Sequence, residues 1–155
     1  MDAVHPRVLG YLGRALSLEL TAVQQFMTQA CLADVWGDTE AAHRFREETV
    51  EEMRHAEAIV QRMVSLAVAP AASQLRPVGH DSTLVGLLRL DLDLEDQLVN
   101  LYAEAVSFCL LSGDEEHERF FRQLWSDEQH HREELAAWLA AVARYRAELP
   151  ERATF

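Results

Sequence analysis

Six side chains in this sequence stand at spacings that could hold metal ions: Glu19, Glu52, His55, Glu95, Glu128 and His131. His55 follows Glu52 by three residues, and His131 follows Glu128 by three. On a helix that spacing places two side chains on one face, one turn apart, where both can reach the same cation. A lone Glu-x-x-His pair carries little weight, because a chain with 17 Glu and 7 His produces one by chance. Glu40 and His43 form such a pair, lie off the inward seam of their helix, and read as solvated surface. The repetition carries more weight. Glu19 precedes Glu52 by 33 residues, and Glu95 precedes Glu128 by the same 33. A shift of 76 maps Glu19 onto Glu95, Glu52 onto Glu128, His55 onto His131 and Phe26 onto Tyr102. Two halves related by a pseudo-twofold would bring four carboxylates and two imidazoles together. Such carboxylates repel one another in a low-dielectric core unless cations neutralise them. Two hard divalent cations would do so. Carboxylate with imidazole suits iron or manganese, and one Glu per helix plus two Glu-x-x-His pairs is a di-iron pattern. Zinc takes fewer ligands and has no redox chemistry.

The elements that must position these residues are four long amphipathic helices, with no competing strand pattern. The first is predicted from about Pro6 to Asp34, with Leu9, Leu12, Leu16, Glu19, Val23, Phe26 and Ala30 on its inward seam. Pro6 fits a first-turn position, where its missing N–H has no partner to lose. Trp36-Gly37-Asp38 makes a turn, and Asp38 or Thr39 can cap the second helix, predicted to run to about Ala67. Its seam is Phe45, Thr49, Glu52, Ala56, Ile59, Met63 and Leu66. A connection from about Val68 to Asp81, with Pro70, Pro77 and Gly79, is long enough to cross a bundle. The third helix is expected from about Ser82 to Ser112, with Leu84, Leu88, Asp91, Glu95, Leu98, Tyr102, Ala105 and Cys109 on its seam. After Gly113-Asp114 the fourth carries His117, Phe121, Leu124, Glu128, His131, Leu135, Trp138 and Val142, and is expected to end near Leu149, before Pro150. The fold class is all-α: an antiparallel four-helix bundle over residues 1–149 with one long crossover between the second and third helices, and a short tail at 150–155.

Bulk composition narrows the partners. A net charge of −12 repels phosphate backbones, so no nucleic-acid partner is expected, and gathering cations is compatible with it. No stretch reads as membrane-spanning and no secretory signal is evident, so a cytoplasmic location is expected. Cys31 and Cys109 read as buried free thiols in a reducing compartment.

The sequence resembles the bacterioferritins from about Val8 to Val142. The carrying segments are Leu18-Glu19-Leu20-Thr21-Ala22-Val23-Gln24-Gln25-Phe26, Glu51-Glu52-Met53-Arg54-His55-Ala56, Asp91-Leu92-Asp93-Leu94-Glu95 and Asp127-Glu128-Gln129-His130-His131. The resemblance implies a ferritin-like bundle holding two iron ions per subunit. Glu19 and His55 would be terminal ligands of one iron, Glu95 and His131 of the other, and Glu52 and Glu128 would bridge. It implies oxidation of Fe(II) by O2 or H2O2 and storage of ferric mineral in a homo-oligomeric shell, built of dimers and numbering 24 subunits. It also implies haem b shared between two subunits, with Met53 as axial ligand. Met53 directly follows Glu52, so it points about 100° away, toward a flank of the bundle. Two features depart from the family. Phe26 stands where many members carry tyrosine, and a phenylalanine offers no hydroxyl. Only eight residues follow Ala147, Pro150 among them, so the usual short fifth helix is not recognisable, and a smaller cage or a dimer stands as an alternative to the 24-subunit shell.

Several other polar residues have more than one reading. Asp91 or Asp127 could hold a ligand histidine by its second nitrogen, as metal-bound imidazoles require. His130 reads as surface, Glu47 and Glu51 as an acidic outer face, and His117 as packing near the bundle end. The alternative function keeps the metals and drops storage: a di-iron or di-manganese peroxide scavenger. A DNA-coating mini-ferritin is disfavoured by the acidic charge and by the complete ligand set within one chain.

Overall fold

A computed structural model describes residues 3–70, 73–145 and 154. Among the described residues there are four helices: α1 (Pro6–Trp36), α2 (Thr39–Ser65), α3 (Leu84–Ser112) and α4 (Glu115–Arg144). α2 packs along α1, α4 along α3, and α1 along α3. Contacts fix the directions. Arg7 and Tyr11 reach Glu104, whereas Gln25 and Gln29 reach Asp91, so α1 and α3 run antiparallel. Arg62 meets Glu116 and Glu52 meets His131, so α2 and α4 are antiparallel as well. Two hairpins are therefore joined by a strap that travels the length of the bundle, as the long connection predicts. The strap is held to α1 by Gln74 N–H donating to Ser17 Oγ (3.0 Å) and Arg76 N–H to Thr21 Oγ1 (3.2 Å). No helix among the described residues is long and apolar enough to cross a membrane.

The pseudo-twofold extends to the turns. Gly37 (φ 77°) and Gly113 (φ 72°), 76 residues apart, end α1 and α3 in the left-handed conformation that glycine adopts without penalty. The next residues, Asp38 and Asp114, each cap the following helix, accepting from the N–H of Ala41 and His117 at 3.1 Å. α2 ends differently. Leu66 is its C-cap, and Ala67 takes the left-handed position (φ 56°), with Val68 N–H closing onto Met63 O (2.9 Å). A Cβ in that conformation costs about 1 kcal/mol. Ala67→Gly is expected to raise stability by about 0.5–1 kcal/mol, read as a higher denaturant midpoint at unchanged slope.

Helix boundaries moved by a turn or less. α1 runs on to Trp36, α2 stops at Ser65, and α3 starts at Leu84, because the Thr83 hydroxyl caps it by accepting from Gly86 N–H (3.0 Å). The described part of α4 closes at Arg144, and the end expected near Leu149 lies outside the described residues. Seam residues are buried as their period requires, with Leu9, Val23, Leu66, Leu84 and Val142 half-buried toward the edges. Cys109 is buried as expected. Cys31 is exposed, a correction: it follows seam residue Ala30 by one position and so turns outward.

Candidate metal centre

Each of the four helices delivers buried acid to the same level of the bundle. Glu19, Glu52, Glu95 and Glu128 have no solvent exposure, and His55 and His131 are nearly as deep. Aromatic layers close the level above and below. Phe26, Phe45 and Trp138 pack at 5.0–6.4 Å on one side. Tyr102, Phe121 and Tyr11 pack at 6.1–6.3 Å on the other. Water is thus kept from the carboxylates, which raises the cost of every unpaired charge.

The geometry obeys the repeat. His55 Nδ1 lies 2.7 Å from Glu128 Oε1 and 3.3 Å from Glu52 Oε2. The mates of those contacts are His131 Nδ1 to Glu52 Oε1 at 3.1 Å and to Glu128 Oε2 at 3.5 Å. The two rings stack at 5.4 Å. Potential ligand atoms of Glu52, His55, Glu128 and His131 all lie within 4.8 Å of one another. Glu19 joins through His55, 3.7 Å away. Glu95 faces the Glu128 carboxyl as Glu19 faces that of Glu52.

Protons take up the charge when no cation is bound. Burial, then the charges of Glu128 and Glu52, push the Glu19 carboxyl well above its usual range. Burial, then Glu52 and Glu128, does the same to Glu95. Burial pulls the His55 imidazole down, but Glu128, Glu19 and Glu52 more than reverse it, and the net shift is upward. His131, opposed by burial in the same way, is raised to about 10 by Glu128 and Glu52. Burial pushes Glu128 up, but His131 and His55 outweigh it and hold the carboxylate below its usual range.

The donor set fits hard divalent cations. Glu19 Oε2 and both oxygens of Glu95 and of Glu128 are buried without an aligned hydrogen-bond donor among the described residues. These five buried acceptor atoms, beside two imidazoles, match the oxygen–nitrogen preference of iron or manganese.

The surrounding residues divide the earlier alternatives. Asp127 does reach a site histidine, with Oδ2 3.4 Å from His55 Nε2. Asp91 does not. It is fully buried, and Oδ1 accepts from Gln25 Nε2 and Gln29 Nε2 at 2.7 Å each. That pair of amides stands in place of a histidine contact, and of the two acids offered for that role Asp127 is the one that meets an imidazole. Glu48 was missed. It lies one turn before Glu52, with Oε2 4.0 Å from His131 Nδ1, and burial raises its carboxyl to about 7. The i, i+4, i+7 series Glu48, Glu52, His55 was the available signal. Glu47, Glu48, Glu51 and Asp127 line an open groove of about 700 Å³ that leads to both imidazoles. His130 is exposed beside Glu134 (3.2 Å), and Glu40 and His43 are exposed as expected. His117 is buried at the bundle end with Nδ1 2.9 Å from Asp114. Met53 is about half exposed on the outer flank of α2.

Comparisons with known proteins agree with this architecture. The family model described as a ferritin-like domain matches residues 9–145. Bacterioferritin of Mycolicibacterium paratuberculosis is 33% identical over 144 residues, covering 93% of this chain and 91% of that protein. Bacterioferritin of Rhodobacter capsulatus is 34% identical over 125 residues, covering 81% and 78%. A 2.6 Å structure of the Rhodobacter protein, described with a metal-free dinuclear site and haem iron in a crystallographic special position, matches with a TM-score of 0.86. It is 32% identical and covers 90% of this chain and 88% of that one. With the ferritin-like domain matched across all four helices and a third of the residues shared with these relatives, this chain belongs to the bacterioferritins.

Proposed function

We propose that the chain is a ferroxidase that oxidises Fe(II) with O2 or H2O2 and stores the product as ferric mineral in a homo-oligomeric shell. The observation that carries this reading is the convergence of buried Glu52, His55, Glu128 and His131 within 4.8 Å of one another. Glu19 and His55 would hold one iron, Glu95 and His131 the other, with Glu52 and Glu128 between them. When bound, the iron pair supplies electrons to the oxidant. The chain's own residues do the rest. Six side chains fix the two positions, and the aromatic layers exclude water. Asp127 holds the outer nitrogen of His55, setting the ring so that Nδ1 faces inward. Glu48, at the groove and beside His131, is placed to receive incoming cations and departing protons. The acidic groove fits an entry route for Fe(II). A cytoplasmic location accords with two free cysteines.

Aerobic addition of Fe(II) tests the reading. Oxidation should be rapid, and iron should accumulate in the purified oligomer far beyond two ions per chain. Oxidation that stops at two per chain would favour a peroxide-scavenging enzyme instead.

Haem is the second part of the proposal. Val50, Met53 and Val64 leave apolar side chains exposed on the flank of α2, and Met27 does so on α1. A thioether on such a flank is suited to a haem shared with a second copy. Purified protein should show a Soret band that shifts or disappears in Met53→Leu. An unchanged band in that variant would remove Met53 from the haem site.

A further inference from the structure

The repeat that builds the metal centre is broken at one pair of positions. Tyr102 and Phe26 are mates under the 76-residue shift, yet only one has a hydroxyl. Tyr102 is fully buried, and its hydroxyl donates to Glu19 Oε1. Glu95 is the mate of Glu19. Neither of its oxygens meets an N–H or O–H donor among the described residues. Glu19 retains one free oxygen, Oε2, and Glu95 retains two.

We propose that Tyr102 makes the two metal positions unequal, by holding Glu19 to a single ligating oxygen while Glu95 is left free to bind with both. This rests on the di-metal reading above and goes beyond it. Buried beside Glu19, the Tyr102 hydroxyl has no water to turn to, so its hydrogen bond stays on Oε1 and occupies a lone pair that the opposite position keeps. A metal ion beside Glu19 and His55 then has one oxygen ligand fewer than an ion beside Glu95 and His131. Tyr102 acts through Glu19 and is a positioning residue.

The consequence is an order of filling and a difference in coordination number. Outer partners of metal ligands shift affinity by about 10–100-fold. The Glu95 position is expected to fill first, with the two steps separated by about tenfold or more. Asp127 reaches His55 and is left unaltered by either substitution, so it cannot account for a change between wild type and variants.

Anaerobic Co(II) titration of the intact oligomer reads both quantities, because the visible bands of Co(II) depend on its coordination number. Wild type should bind two Co(II) per chain in two steps with different spectra. Tyr102→Phe frees both oxygens of Glu19, and the second spectrum should converge on the first. Phe26→Tyr provides a donor for Glu95, and the spectra should converge in the opposite sense, toward fewer ligands. In both variants the separation between steps should shrink by about tenfold. Two Co(II) with one common spectrum in wild type would overturn the proposal. Retention of two distinct spectra in either folded variant would do the same. Binding of fewer than two Co(II) by wild type would be a failure of the di-metal reading itself, and is thus distinguishable.

Discussion

Glu128→Ala is expected to bind fewer than two Fe(II) per chain and to oxidise Fe(II) more slowly by at least about 100-fold. Loss of an outer partner alone costs up to about that factor, and Glu128 is closer to the chemistry than any outer partner. It is 2.7 Å from one imidazole and 3.5 Å from the other, so it would touch both metal positions. Its mate Glu52 has the same relation to the two rings, at 3.3 and 3.1 Å. Glu52→Ala should therefore cost nearly as much as Glu128→Ala, and that near-equality follows from the pseudo-twofold. Glu40→Ala, which alters an exposed Glu-x-x-His pair of identical spacing, should change nothing. Stoichiometry from anaerobic titration and initial rates from stopped-flow absorbance read all three variants. If Glu128→Ala retained two ions and a wild-type rate, the bridging position would be assigned to the wrong residue.

Metal-free protein is expected to lose stability between pH 6 and pH 9, and redox-inert Zn(II) to restore it. The folded chain keeps protons that the unfolded chain has released. Burial lifts Asp91 from 3.8 to about 8, against the donors Gln25 and Gln29. Glu48 rises to about 7, and His131 to about 10. A carboxyl raised in this way favours the folded state fully below its unfolded value, and that contribution is lost as pH rises through the folded value. His131 contributes fully below 6.5 and loses the contribution on the way to about 10. All three signs agree, so stability falls with pH across this window. The three losses sum to roughly 7 kcal/mol at most, or up to roughly 20 °C in Tm for a chain of this size. Zn(II) replaces protons at the centre, so its stabilising effect should grow as pH rises. A cation at one hundred times its Kd adds about 2.7 kcal/mol for each site. Melting curves with chelator and with Zn(II), at pH 6 and pH 9, give four temperatures. A pH-independent Tm, unchanged by Zn(II), would mean that the six side chains do not form a charge-coupled cation site.

Much of the bundle was legible because periodicity reports burial directly. A glutamate in phase with Leu12, Leu16 and Phe26 has to face the core, and Glu19 does. The two 33-residue separations encoded hairpins of equal length, and the Gly37 and Gly113 turns show why: the same cap follows each first helix. What periodicity does not encode is which partner a buried polar group finds. Asp91 was in phase with the core, yet its amide partners come from α1, and only the side-by-side packing of α1 and α3 brings Gln25 and Gln29 to it. Tyr102 was visible as the mate of Phe26, but its bond to Glu19 depends on where a hydroxyl at the end of a long ring arrives. Cys31 shows the converse, since a one-residue step along a helix turns a side chain by about 100° and moved this thiol to the surface. The end of α2 depended on a left-handed alanine, which composition does not favour.

A crystal grown without metal, soaked anaerobically in ferrous salt and measured at the iron absorption edge, locates the ions themselves. Two anomalous peaks per chain are expected in the core, one beside His55 and Glu19 and one beside His131 and Glu95, with Glu52 and Glu128 between them. Peaks confined to the acidic groove at Glu47 and Glu51, with none among the six buried side chains, would contradict the di-iron centre.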